Sequence, residues 1–159
     1  MSEPENGNRM AEGADRMNDQ ELVARALHAR KQAYTPYSHW AVGAALLTED
    51  GTVYEGCNIE NAAYTPTNCA ERTAFFKAVS EGERAFAAIA IVGGYENTEP
   101  DQVCAPCGVC RQVMMEFCDP KRFRIVLGTK DGVAETYTLA ELLPCGFGPE
   151  NLSAQKSDE

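Results

Sequence analysis

Three cysteines stand at the starts of two segments that read as helices, and they constrain this 159-residue chain more than any other feature. Asn68-Cys69-Ala70-Glu71 opens a helical run, Arg72 to Glu81, so a thiol and a carboxylate lie two residues apart at a helix start. Mid-helix, such a pair points to different sides, because neighbours on one face are three or four residues apart. In the first turn both side chains can reach past the helix end toward a common point. The second start, Pro106-Cys107-Gly108-Val109-Cys110, sets two more thiols at i and i+3 on one face. Three thiolates can therefore converge on one ion. Zinc fits them, since it takes Cys ligands in tetrahedral geometry and, in catalytic sites, keeps one position open for water. Glu71 would stand beside that open position.

Taken alone, these residues leave other readings open. Cys107 and Cys110 could be a redox dithiol. A fourth ligand, Cys57, Cys104, Cys118 or His39, would close the cluster into a structural zinc site. Glu71, third after Asn68, also matches a capping-box-like pattern.

Cys69-Ala70-Glu71 followed by Pro106-Cys107-x-x-Cys110 resembles the zinc-dependent cytidine deaminase family. Tyr37-Ser38-His39, Val42 to Leu46, Gly56 to Asn61, Asn68 to Thr73, Arg111-Gln112, Leu142-Leu143-Pro144 and Phe147-Gly148-Pro149 are similar to its small free-nucleoside branch. The likeness covers Asp19 to Leu152. It implies hydrolytic deamination of cytidine and 2′-deoxycytidine to uridine and 2′-deoxyuridine plus ammonia, in pyrimidine salvage. It implies one Zn²⁺ per subunit on Cys69, Cys107 and Cys110, with Glu71 as the proton carrier and Arg72 donating to a ligand sulfur. By the same resemblance, Asn58 and Glu60 take the ribose 3′-hydroxyl, and Trp40 borders sugar and base where the family usually has Phe. The backbone at Ala70 would hold the cytosine carbonyl, and that at Ala105 the exocyclic amine. Phe147 and the Ala62 to Tyr64 segment resemble parts that neighbouring subunits of a homotetramer insert into each site.

The chain departs from the family at Ala105, commonly Ser, at Trp40-Ala41, commonly Phe-Pro, and at Cys145 near the C-terminal Phe. These bear on pocket size, and a cytosine nucleoside analogue of the blasticidin type is the alternative substrate. A zinc-stapled domain without activity is the alternative of a different class.

Composition narrows the partners. With 14 basic and 24 acidic residues the net charge is −10, which disfavours a nucleic acid polymer. The cysteine count of seven is odd, Met1 to Met17 is polar, and no long apolar segment is present, so a cytoplasmic protein without membrane contact is expected. Cys57, Cys104, Cys118 and Cys145 are expected to be small buried apolar residues.

Residues 1–17 lack apolar periodicity and are expected to be a disordered leader, with one catalytic domain over 18–152 and a polar tail over 153–159. An Asn18-Asp19 cap starts a helix to about Gln32. Ala41 to Thr48 and Thr52 to Cys57 read as a hairpin turning at Asp50-Gly51. Ala87 to Val92 reads as a central strand, Gly93 to Val103 as a loop, and the second thiol helix as ending near Cys118. Phe123 to Leu127 and Ala134 to Thr138 read as strands joined across Lys130-Asp131-Gly132, and Thr138 to Leu143 as a short helix. Alternating strands and helices predict a three-layer α/β/α sandwich with a mixed, about five-stranded sheet.

Overall fold

The computed structural model describes residues 17–153. The expected leader and tail therefore lie, but for Met17 and Ser153, outside the described residues. Ten elements follow one another: α1 (Asp19–Arg30), β1 (Trp40–Thr48), β2 (Val53–Cys57), α2 (Ala70–Ser80), β3 (Phe86–Tyr95), α3 (Gly108–Phe117), β4 (Arg124–Thr129), β5 (Gly132–Thr138), α4 (Leu139–Leu142) and α5 (Glu150–Ser153). The five strands form one mixed sheet in the order β2-β1-β3-β4-β5. Only β3 and β4 run parallel, and the crossover that this pairing requires contains α3.

The period-two alternation of the central strands sorts the core into two layers. Ala45 and Leu47 of β1, with Ala88, Ala90 and Val92 of β3, pack against Leu22, Val23 and Ala26 of α1. Ala44 and Leu46, with Ile89 and Ile91, face the opposite layer, where Ala74 and Phe75 of α2 and Cys110 and Met114 of α3 lie. Both faces of the sheet are thus covered by helices, as the sequence pattern predicts.

α1 begins with a full capping box: Asn18 accepts from the Glu21 N–H, and Glu21 accepts from the Asn18 N–H. α2 and α3 do not. Their N-caps are Cys69 and Cys107, and neither side chain caps its helix. Asn68 instead donates to the Thr73 hydroxyl, so the capping-box-like reading of Asn68 and Glu71 does not hold. The backbone donors at the starts of α2 and α3 gain no side-chain cap, and the thiols occupy the positions where caps would stand.

Strand ends differ from expectation where glycines take part in pairing. β3 runs on through Gly93 and Gly94, which pair with Val42 and Ala41, into the stretch expected to be a loop. α5 was not expected. Of the four cysteines expected to be buried, Cys57, Cys104 and Cys118 are half-buried and Cys145 is exposed. Cys145 sits in a turn after Pro144 with a positive φ of 54°, a backbone shape set at the surface rather than in the core.

Close approach, rather than turn geometry, explains Gly56. A Cβ there would lie 2.4 Å from the Ala70 carbonyl oxygen and 2.6 Å from the Ala74 nitrogen, so the first turn of α2 rests directly on β2. Both obstacles are backbone and cannot rotate away. Gly56→Ala should therefore lower the thermal midpoint by about 5–10 °C and reduce zinc content with it, measured by calorimetry and metal analysis; an unchanged midpoint would show that α2 is not seated on the glycine.

Candidate functional site

The two uncapped helix starts meet. Cys107 occupies the N-cap of α3 and Cys110 the third helical position, the spacing at which an N-cap side chain turns back over the first turn. Their sulfurs lie 3.5 Å apart. Cys69 at the N-cap of α2 brings its sulfur to 3.9 Å from that of Cys107. All three sulfurs fall within 4.8 Å of one another, and no other His, Cys, Asp or Glu ligand atom among the described residues joins them. The fourth ligands of the alternative closed site, Cys57, Cys104, Cys118 and His39, stay outside the cluster among the described residues.

Glu71, at the second helical position of α2, is 4% exposed. Its Oε2 lies 3.8 Å from the Cys110 sulfur. Burial pushes its carboxyl up to about 7 in the metal-free protein, despite a lowering hydrogen bond from its own backbone. A carboxyl there can hold a proton or give one up at neutral pH. Cys69 is pulled down to about 5, first by its hydrogen bond with Cys110 and then by Arg72. The hydrogen bond to the Cys69 thiolate and burial push Cys110 upward in turn.

Arg72 donates from Nη2 to the Cys69 sulfur at 3.3 Å. Its Nε is buried and has no partner among the described residues. Three metal-bound thiolates would offer such a donor an acceptor, and their surplus negative charge would be offset by the guanidinium and by two helix N-termini. The residues present therefore fit a zinc ion: a three-sulfur donor set, a cation beside it, and a protonatable carboxyl at its edge.

The remaining candidates lie in varied settings. Trp40 is the first residue of β1 and meets the Tyr95 ring edge-on at 5.0 Å between centroids. Asn58 donates from Nδ2 to the Trp40 carbonyl and accepts the Val42 N–H, both at 2.8 Å, so its amide also braces the start of β1. Glu60 accepts the Ser38 N–H at 3.1 Å and the Ser38 hydroxyl at 3.2 Å, holding the Tyr37-Ser38 loop. Ala70 is buried at the start of α2 and Ala105 is exposed just before α3. Ala62 and Tyr64 lie in an exposed turn, and Tyr64 packs edge-on against Tyr37. Phe147 is exposed, and its carbonyl accepts from Gln112 at 2.8 Å. Within one chain no bond ties Tyr64 or Phe147 to the thiol cluster among the described residues.

One neighbour, Thr73, has no role in the sequence reading. Thr73 donates to the Cys57 and Cys69 carbonyls, at 3.0 and 3.2 Å, and so fixes the first turn of α2 to the end of β2. Burial pushes the Cys104 thiol up, and Trp40, Glu71 and Cys69 act on its protonation as well. A polar residue four after the N-cap was the available signal for Thr73.

The chain is similar to known proteins. The family described as "Cytidine and deoxycytidylate deaminase zinc-binding region" matches residues 16–127. Over 137 residues the chain is 53% identical to a cytidine deaminase of Sporosarcina psychrophila, covering 86% of this chain and 96% of that protein. It is 50% identical to one of Halalkalibacterium halodurans, covering 86% and 99%. The crystal structure of a cytidine deaminase from Burkholderia pseudomallei matches with a TM-score of 0.74 at 47% identity, covering 82% of this chain and all of that one.

Replacing Arg72 by Ala should weaken zinc retention about 10–100-fold in a chelator competition followed by metal analysis. Wild-type zinc retention in that variant would contradict the role given to the guanidinium.

Proposed function

This chain belongs to the zinc-binding cytidine deaminase family, and from that premise we propose how its residues divide the hydrolysis of cytidine and 2′-deoxycytidine to uridine and 2′-deoxyuridine. The observation that carries the reading is the buried Glu71 carboxyl beside the three-thiol cluster. Cys69, Cys107 and Cys110 would hold the ion, which when bound supplies a water acidic enough to lose a proton near neutral pH.

Glu71 accepts that proton and passes it to ring N3 of cytosine, which makes C4 electrophilic. Oxygen adds at C4, and Glu71 then carries the second proton of the added water to the exocyclic nitrogen. The C4–N bond breaks, the 4-oxo group forms, and ammonia leaves. A carboxyl whose proton affinity is raised by burial suits a group that must gain and release protons in each turnover. Burial keeps bulk water from taking those protons instead.

The substrate side is a further proposal. The backbone at Ala70 takes the cytosine carbonyl, that at Ala105 the exocyclic amine, and Trp40 covers sugar and base. Asn58 and Glu60 receive the ribose 3′-hydroxyl, using lone pairs and donors left over from their loop bonds. A carboxylate there, on a chain of net charge −10, favours a nucleoside over its phosphate.

Exposed aromatic residues support a shared site. Tyr64 is 73% and Phe147 57% exposed in the single chain, a loss that a homotetramer would recover by inserting them, with Ala62, into neighbouring sites. Seven free cysteines, three of them needed as thiolates, suit a reducing cytoplasm. No helix among the described residues is long and apolar enough to cross a membrane.

At matched zinc content, Glu71→Gln should lower kcat for cytidine by about 10³-fold or more, followed as loss of ultraviolet absorbance; equal turnover would refute the proton-carrier role. Phe147→Ala should raise KM while sedimentation still gives a mass about four times that of one chain; full activity in a monomer would refute the shared site.

A further inference from the structure

We propose that Arg30 is a positioning residue for substrate binding: its guanidinium clamps together the strand ends that carry Trp40, and so sets nucleoside affinity. The inference rests on the reading above that Trp40 covers the nucleoside.

Arg30 sits where a cation is not expected. Leu22, Val23, Ala26 and Ala29 form the buried stripe of α1, and Arg30 follows Ala26 by four residues, on the same face. A guanidinium taken into such a place must find acceptors for its N–H groups. Arg30 finds four, all backbone carbonyls. Nε donates to Ala41 at 2.9 Å, Nη2 to Gly94 at 2.9 Å and Tyr95 at 2.7 Å, and Nη1 to Thr98 at 3.2 Å. No carboxylate among the described residues forms an ion pair with it. Its bonds therefore go wholly into holding the chain.

The segments held are the start of β1, the end of β3 and the turn after it. Trp40 and Tyr95 are the last partners of the β1/β3 ladder, and beyond them the backbone bond from the Glu96 N–H to the His39 carbonyl links the two segments. A planar fork that reaches carbonyls of both strands reinforces this end of the ladder; an ammonium, a point charge, cannot span them in the same way. Two of the four carbonyls it grips belong to Tyr95 itself and to Ala41, the residue after Trp40. The Trp40 and Tyr95 rings meet edge-on at 5.0 Å and 81°. A second tie lies alongside: Glu96 accepts from the Thr35 hydroxyl at 2.7 Å and from His39 Nδ1 at 2.8 Å, and its N–H donates to the His39 carbonyl at 2.7 Å. Arg30 is thus one side of a latch that fixes the angle of the Trp40 indole against Tyr95. The thiol cluster and Glu71 lie on α2 and α3 and receive no bond from Arg30, so the chemical step is left alone.

Trp40 is the chain's single tryptophan, so intrinsic fluorescence reports on this residue alone. The zinc-loaded full chain is compared with Arg30→Gln, which keeps two donors, Arg30→Met, which keeps none, and Trp40→Ala. For both Arg30 variants we expect a red-shifted emission, wild-type zinc content, KM for cytidine raised about tenfold and kcat within about threefold. Should Arg30→Met not fold, Arg30→Gln decides by itself. A KM within about twofold of wild type, or kcat falling in step with lost zinc, would overturn the inference. If Trp40→Ala raises KM while the Arg30 variants do not, the latch alone is wrong. If Trp40→Ala also leaves KM unchanged, the placement of Trp40 over the nucleoside falls with it.

Discussion

Everything in this structure answers to one electrostatic arrangement: three cysteine sulfurs drawn to a single point by the ends of two helices. Thiolates repel one another, and a cluster of three carries more charge than a divalent ion cancels. The fold supplies the compensation. Cys69 and Cys107 stand at N-caps and make no side-chain cap bond, so both helix dipoles favour negative charge there. Arg72 adds a full positive charge at the Cys69 sulfur. Without these, holding three thiolates around one ion would meet less compensation and cost more.

The sheet exists, in this view, to bring the two helix starts together. α2 rests on β2 through Gly56, and Thr73 ties its first turn to the end of that strand. α3 belongs to the crossover between the parallel strands β3 and β4, packed on the same face of the sheet as α2. Glu71 is buried as a consequence, and its raised pKa comes from the same packing that seats the helix. Stability and chemistry draw here on one set of contacts.

Much of this was legible in the sequence because it is local. Thiols at an N-cap and three residues on reveal a shared face without any knowledge of tertiary structure, and alternating apolar strands reveal a covered sheet. What escaped depends on partners distant in the chain. Gly93 and Gly94 read locally as turn formers, yet pair with β1. A Cβ at Gly93 would lie 2.7 Å from the Cys104 sulfur, so the glycine is there for clearance. Asn58 and Glu60 read as a polar loop pair, and nothing in their spacing says that β1 and the Ser38 loop use much of their hydrogen-bonding capacity. Arg30 left a signal, a cation on the apolar stripe of α1, but its four carbonyls come from segments up to 68 residues away. Cys145 reads as a core thiol by composition and is exposed through the backbone shape of its turn.

X-ray absorption at the zinc edge of the metal-loaded protein tests the central claim most directly. The account predicts three sulfur scatterers at about 2.3 Å and one lighter oxygen or nitrogen scatterer at about 2.0 Å, the latter a water. Four sulfurs, or three sulfurs with a histidine imidazole completing the shell, would close the position that Glu71 faces and contradict it.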